Sequence, residues 1–303
     1  ERPRHVEIQV LGDMHGTMLH LGERECSVQR RHQKMIEEAP SVALSPELRA
    51  RMGTAAVNAA RAAGYVNAGT CEFLLDGNGD FYFLEMNTRI QVEHPVTELV
   101  YGIDLVQWQI RIAAGERLPF AQEAIAPRGW ALECRITSED ANNGFLPSTG
   151  TIRSMRVPSG PGVRWDGGVE QGSEISLFYD PMIGKLIVAA ATRDAAIERM
   201  ERALLELSFD GIETSRDFHL RMMRDDDFRR GDIDIQWLER KLPALLAAPA
   251  DDGALRVAAI AAVLLAENDR HAPARNRNGA AFDGSGAGRD SEWTRVGRVE
   301  TLR

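Results

Sequence analysis

The chain has 303 residues, 44% of them hydrophobic and 27% charged, the composition of a folded protein long enough to bury two cores. A formal net charge of −9 argues against a nucleic-acid partner spread over the surface, and no apolar run reaches the length of a membrane span. Cys26, Cys71 and Cys134 are far apart and form no C-x-x-C pair, so a disulfide framework or structural zinc is not expected and a reducing, cytoplasmic compartment fits.

Glu1-Arg2-Pro3-Arg4 leads into a strand-like run with no initiator Met and no targeting pattern, the expectation for a fragment. His5 to Leu11 and Thr17 to Glu25 read as a hairpin around Gly12-Asp13-Met14-His15-Gly16. The basic stretch Gln29-Arg30-Arg31-His32-Gln33-Lys34 follows. Ser45-Pro46-Glu47 places a cap, a proline and an acid at a helix start, and the helix runs from Leu48 to Ala63 and ends at Gly64. Thr70 to Leu75 and Phe81 to Arg89 are strand-like and flank the turn Asp76-Gly77-Asn78-Gly79-Asp80. Val96 to Ala114 reads as one helix stopping at Gly115. A second unit is expected from about Pro127, with a strand at Gly129 to Ile136, short strands to about Ala191 and an amphipathic helix at Thr192 to Leu207. From about Pro243 the composition changes: Ala254 to Asn268 is a helix candidate and His271 to Arg289 reads as a linker.

The hairpin at the middle of the first unit carries the chemistry. A loop at Gly77 to Asp80 sets Asp76 against Phe81 and Glu72 against Glu85, two like charges that need a cation, a proton or water between them. A bulge would shift that register. Along the second strand Tyr82, Leu84, Met86, Ile90 and Val92 are apolar, while Glu85, Asn87, Arg89, Gln91 and Glu93 are polar. This alternation predicts one core face and one chemical face. Glu, Glu and Asn are hard oxygen ligands of the kind Mg²⁺ prefers beside nucleotide phosphates. Arg89 offers a planar fork to carboxylate, bicarbonate or phosphate, and Glu93 stands where a base would serve it.

Phe83 to Ile90 resembles the metal-site signature of the ATP-grasp enzymes of the carbamoyl-phosphate synthetase and biotin carboxylase group. Gln91-Val92-Glu93-His94-Pro95-Val96-Thr97-Glu98 narrows the resemblance to biotin-dependent carboxylases. It runs from Pro3 to about Leu242 and includes Arg4 to Gln9, Glu25 to Lys34, Glu133 to Ile136 and Tyr179 to Leu186. The resemblance implies an α+β fold: the C-terminal half of an ATP-grasp domain over 1–126, a biotin carboxylase C-terminal domain of short strands and helices over 127–242, and a helical and flexible tail over 243–303. It implies a ligase that uses ATP, Mg²⁺ or Mn²⁺ and bicarbonate to carboxylate biotin on a carrier. Glu72, Glu85 and Asn87 become the metal-side residues. His5, Gln29, His32, Lys34 and Ile235 fall around ATP, and Arg89, Gln91, Val92 and Arg135 hold bicarbonate or biotin. Glu93 is the base, and Arg135 stabilises the biotin enolate.

Taken without the family, His5 and His32 would be ordinary surface or core histidines, Arg30 to Lys34 a solvated face, and Glu133 with Arg135 a structural ion pair. Asp180 and Lys185 read as structural. The glycine-rich loop and lysines of the family's lid are not in the sequence, nor is a biotin-accepting Ala-Met-Lys-Met tetrapeptide. Hence half an ATP site is expected, inactive without an N-terminal part. Ala254 to Arg303, with Ser291-Glu292-Trp293, is similar to the segment joining the carboxylase to later domains in acyl-CoA carboxylase α subunits of the methylcrotonoyl or propionyl type. The implied partners are a biotin carboxyl carrier domain, a carboxyltransferase and a second copy of the chain or a larger assembly. The competing readings are another ATP-grasp ligase, such as a carbamoyl-phosphate synthetase, and a non-catalytic assembly module.

Overall fold

A computed structural model describes residues 2–247, 257–264 and 267. Residues 1–248 form one compact unit, and 249–303 form another. The first two strands, β1 (Arg4–Gly12) and β2 (Met18–Arg30), are the expected hairpin, and β2 turns into β3 (Gln33–Ala39) through Arg31 and His32, both at positive φ. That two-residue turn has the backbone of a type I′ hairpin, although neither residue is glycine. The strand β3 hides in the sequence behind the basic stretch.

Helix α1 (Pro46–Ala62) starts as the sequence indicates, with the Ser45 side chain accepting from the Leu48 N–H. Strands β4 (Asn67–Leu75) and β5 (Phe81–Asn87) follow. The single helix expected over 96–114 is two: α2 (His94–Tyr101) and α3 (Leu105–Ala113). Gly102 ends the first in the left-handed region, and the Asp104 side chain caps the second on the Gln107 N–H. A glycine at a helix end followed by an aspartate cap is a stop and a start placed back to back.

Strand β6 (Trp130–Thr137) opens the next stretch. Four short strands follow, β7 (Glu139–Asp140), β8 (Leu146–Pro147), β9 (Gly150–Thr151) and β10 (Ser154–Arg156), then β11 (Val163–Gly167), β12 (Glu174–Ile175) and β13 (Met182–Ala190). Helix α4 (Arg193–Glu206), capped by Thr192, precedes β14 (Ser208–Asp210) and the helices α5 (Arg216–Arg224), α6 (Asp226–Arg230) and α7 (Trp237–Ala247). Residues 257–264 of the second unit are helical, within the helix expected from Ala254. The linker expected at His271 to Arg289 lies outside the described residues.

Eight strands make one sheet in the order β11-β13-β6-β3-β2-β1-β4-β5. The pairing of β3 with β6 carries the sheet across residue 126 without a break. On β1, Val6, Ile8 and Val10 pack against α1, and on β6, Leu132, Cys134 and Ile136 join the core under α4 to α7. Both sets alternate with polar residues, so the opposite face of the sheet receives His5, Glu7 and Gln9 from β1 and Glu133 and Arg135 from β6. Helices α2 and α3 cover part of that second face. The remainder is a cleft.

Candidate active site

Two strand irregularities aim side chains into the cleft. Near the turn, β4 and β5 pair as Leu75 with Phe81 and Phe73 with Phe83, but beyond it as Glu72 with Glu85. Leu84 is the extra residue of a bulge. The expected opposition of Glu72 and Glu85 is therefore present, while the expected pairing of Asp76 with Phe81 is displaced by one residue. On β3, Met35 is likewise extra between the pairs Gln29 with Lys34 and Val28 with Ile36. This lets Lys34 and Glu37, an odd number of residues apart, serve the same face of the sheet.

The polar set Glu85 to Glu93 does not lie on one continuous strand. Strand β5 ends at Asn87, and Arg89, Gln91 and Glu93 come from the turn that leads into α2. Nor is the alternate set a core face throughout, since Tyr82 and Leu84 are 59% and 47% exposed. Among the described residues β5 is the edge of the sheet, with no further strand on its outer side.

Below the cleft, Arg24 is fully buried and makes five hydrogen bonds. Its Nε reaches Glu7 at 2.5 Å, and its terminal nitrogens reach Gln9 at 2.6 Å, Thr97 at 3.0 Å, Gln91 at 2.9 Å and Thr70 at 3.1 Å. Lys34 Nζ lies 2.6 Å from Glu7, 2.5 Å from Glu93 and 3.4 Å from Glu72. Burial alone would raise the Glu7 carboxyl, but Arg24 and Lys34 override it and hold Glu7 down at about 2. Burial opposes the Lys34 ammonium in turn, yet the carboxylates around it keep its pKa above the ordinary value.

Glu93 is the centre of charge. Its Oε1 faces Lys34, and its Oε2 accepts from the terminal nitrogen of Arg135 at 3.0 Å. Arg135 Nε donates to Glu37 at 2.7 Å. A carboxylate suspended between two cations is a base standing beside positive charge that an anion could share.

On the other wall, Glu72 accepts from His5 at 2.7 Å, Gln91 at 2.6 Å and Asn87 at 3.0 Å. Burial would raise its carboxyl, but His5, Lys34 and Gln91 bring it down to about 2. The Asn87 amide also donates to Glu85 at 3.1 Å, and Arg89 donates to Asn87 at 3.2 Å. Two carboxylates and an amide converging from paired strands fit a hard divalent cation. Gln91 is buried, tied to Glu72 through its nitrogen and to Arg24 through its oxygen, which leaves one N–H to offer a ligand.

Eleven of the thirteen residues expected from the sequence line this cleft. Gln29 does not; it lies at the end of β2 opposite Lys34. Ile235 is also away from it, where its N–H donates to the Pro3 carbonyl at 3.0 Å and fastens the chain start to the stretch before α7. Asp180, read as structural, lines the cleft, and Lys185 donates to the Val92 carbonyl at 2.6 Å and so fixes that wall. Glu7, Arg24 and Glu37 were missed. Of these, Glu7 carries an alternating signal between Val6 and Ile8, whereas Arg24 lies between Glu23 and Glu25 and Glu37 is followed by Glu38, so neither stands out by alternation.

Residues 1–121 match the family described as Carbamoyl-phosphate synthase L chain, ATP binding domain, and residues 133–240 match the Biotin carboxylase C-terminal domain. The chain is 56% identical over 239 residues to a pyruvate carboxylase subunit of Methanothermobacter thermautotrophicus, covering 79% of this chain and 48% of that protein. It is 53% identical over 239 residues to the biotin carboxylase of a Nostoc species, covering 79% and 54%. The solved biotin carboxylase domain dimer of Hydrogenobacter thermophilus 2-oxoglutarate carboxylase, in complex with MgADP, ADP and bicarbonate, superposes with a TM-score of 0.80 at 49% identity, covering 82% of this chain and 55% of that one. The chain spans about half the length of the curated relatives it matches.

Proposed function

The chain belongs to the biotin carboxylase family, through residues 1–121 and 133–240, and from that premise we propose that it supplies the metal and bicarbonate side of an ATP-dependent biotin carboxylase. The observation that carries this reading is Glu93 held between Lys34 and Arg135 on a cleft shared with Glu72, Glu85 and Asn87. Glu72, Glu85 and Asn87 would hold Mg²⁺ or Mn²⁺, which when bound offsets phosphate charge. His5, His32 and Lys34 take the nucleotide side. Gln29 and Ile235 lie off the cleft and carry no part of the proposal.

Bicarbonate is placed against Arg89, Arg135 and the Gln91 and Val92 wall, where Glu93 takes its proton. Its oxygen then attacks the γ-phosphorus of ATP, ADP leaves, and the carboxyphosphate formed breaks down to CO₂ and phosphate. Phosphate removes the ureido proton of biotin, Arg135 steadies the enolate charge, and the biotin nitrogen takes CO₂. The biotin is on a carrier domain, and a carboxyltransferase consumes the product. The acyl-CoA acceptor of the methylcrotonoyl or propionyl type rests on the likeness of residues 254–303, with Ser291-Glu292-Trp293, to the segment that follows the carboxylase in such α subunits, and the cytoplasmic location on three free thiols. Among the described residues no helix is long and apolar enough to cross a membrane.

The test is bicarbonate-dependent ATP cleavage by the full-length protein, with and without free biotin. Glu93→Gln and Arg89→Ala should each lower it by about 100-fold or more. Intact activity in both variants would overturn the reading. Stimulation by ammonia and not by biotin would replace it with a carbamoyl-phosphate synthetase.

A further inference from the structure

Behind Arg135 the sheet interior holds two acids that the reaction above does not use. Glu37 on β3 and Glu133 on β6 are register partners, and both are fully buried. Glu37 Oε1 accepts from Arg135 Nε, but Glu37 Oε2 and both oxygens of Glu133 have no hydrogen-bond partner. Two ionised carboxylates placed opposite each other in a sheet interior repel, and each orphaned oxygen carries its full desolvation cost. One proton resolves both difficulties, because a protonated carboxyl donates to an ionised one and gives two of the three orphaned oxygens a partner.

We propose that Glu37 and Glu133 share one proton, carried by Glu133, and that the single charge left on Glu37 makes the pair a positioning device for Arg135. The charged groups facing the pair are Arg135 beside Glu133, Lys34 on β3, Lys185 on β13 and Glu93 from the turn before α2. Burial, the largest influence on both acids, pushes Glu37 up to about 7 despite Arg135 and pushes Glu133 well above the carboxylate range. With Nε fixed by Glu37, the outer edge of the guanidinium is turned toward Glu93 and the cleft. From below, the His219 ring nitrogen meets the Arg135 carbonyl at 2.7 Å, so main chain and side chain are both pinned. Ionisation of the second acid would add a negative charge behind Arg135 and draw it back from the cleft.

The proton sharing stands on this geometry alone, whereas the positioning role rests on the proposed reading of Arg135. Carboxyl ¹³C NMR of the full-length protein, labelled at glutamate and titrated from about pH 6 to about pH 8, reads the first. One glutamate signal should remain protonated at neutral pH and disappear in Glu133→Gln, an isosteric change, while Glu37 then titrates lower by about one pH unit or more. Absence of a protonated glutamate at neutral pH, or an unmoved Glu37 in Glu133→Gln, overturns the shared proton. For positioning, Glu37→Gln should lower kcat for ATP cleavage by about tenfold or more with KM for ATP little changed. Glu133→Gln, which cannot ionise, should keep its activity to higher pH than the wild type. An unmoved kcat in Glu37→Gln together with an unmoved pH profile in Glu133→Gln overturns the positioning role. If the unaltered protein shows no bicarbonate-dependent ATP cleavage, the reading of the site fails while the NMR result stands by itself.

Discussion

Arg24→Lys tests whether the buried arginine fastens the floor of the site. The guanidinium bonds Glu7 and Gln9 on β1, Thr70 on β4, Gln91 in the turn before α2 and Thr97 in α2. A lysine keeps the charge beside Glu7, but it has three donors on one atom and cannot span acceptors spread over four elements. The threonine hydroxyls can turn to other partners. The amide oxygens of Gln9 and Gln91 cannot, and two stranded acceptors at about 1–3 kcal/mol each give a loss of about 2–6 kcal/mol. In urea denaturation the midpoint should fall with the slope unchanged. Gln91 also holds Glu72, so affinity for Mg²⁺ should weaken together with stability. A loss below about 1 kcal/mol would refute the argument, as would strict additivity of Arg24→Lys with Gln91→Met, since the two changes delete the same bond.

Three further perturbations follow from single contacts. Gly22 sits at φ +62 in β2, where an added Cβ would lie 1.8 Å from the Tyr101 hydroxyl; Gly22→Ala should cost about 1–3 kcal/mol, and Tyr101→Phe should recover part of it in urea melts. The folded carboxyl of Glu7 lies at about 2 against an ordinary 4.5, so its stabilisation is complete above pH 4.5 and is lost as pH falls through about 2. The difference is about 3 kcal/mol at most, and in Glu7→Gln that slope should be flatter even though neutral-pH stability drops. His219 is buried, and burial lowers its pKa to about 4 from 6.5; its contribution is complete above pH 6.5 and shrinks as pH falls toward 4. Relative to the wild type, His219→Gln should therefore gain about 2 kcal/mol on acidification from pH 6.5 to 4.5, measured by urea unfolding at the two pH values.

The sequence made the hairpins legible because alternation and turn residues are local signals. Glu72 and Glu85 could be set opposite one another from loop length alone, yet the pairing nearer the turn could not, because a bulge at Leu84 leaves no compositional mark. The strand β3 was obscured since its first residues, Gln33 and Lys34, are polar and its turn is built from Arg31 and His32 in place of glycine. The break between α2 and α3 was written in Gly102 and Asp104, but apolar residues on both sides keep the helical period and mask it. In the cleft, the residues of the Glu85 to Glu93 motif were identified, while Arg24 and Glu37 escaped because their importance lies in contacts across strands far apart in sequence. Ile235 is fastened by its N–H to the Pro3 carbonyl, a relation that no local pattern records.

The extra residue at Leu84 separates two things that a regular hairpin would bind together, the loop at its tip and the carboxylates at its base. In an unbulged ladder, adding or removing one loop residue would slide every pair and turn Glu85 to the opposite face. Here such a change can be absorbed at an exposed edge strand, between Phe83 and Glu85, before it reaches Glu72. The bulge is thus slack between the tip at Asp76 to Asp80 and the carboxylates, and removal of Leu84 would take it up: Leu75 would still meet Phe81 and Glu72 would still meet Glu85, but in a regular ladder where a change of loop length slides every pair.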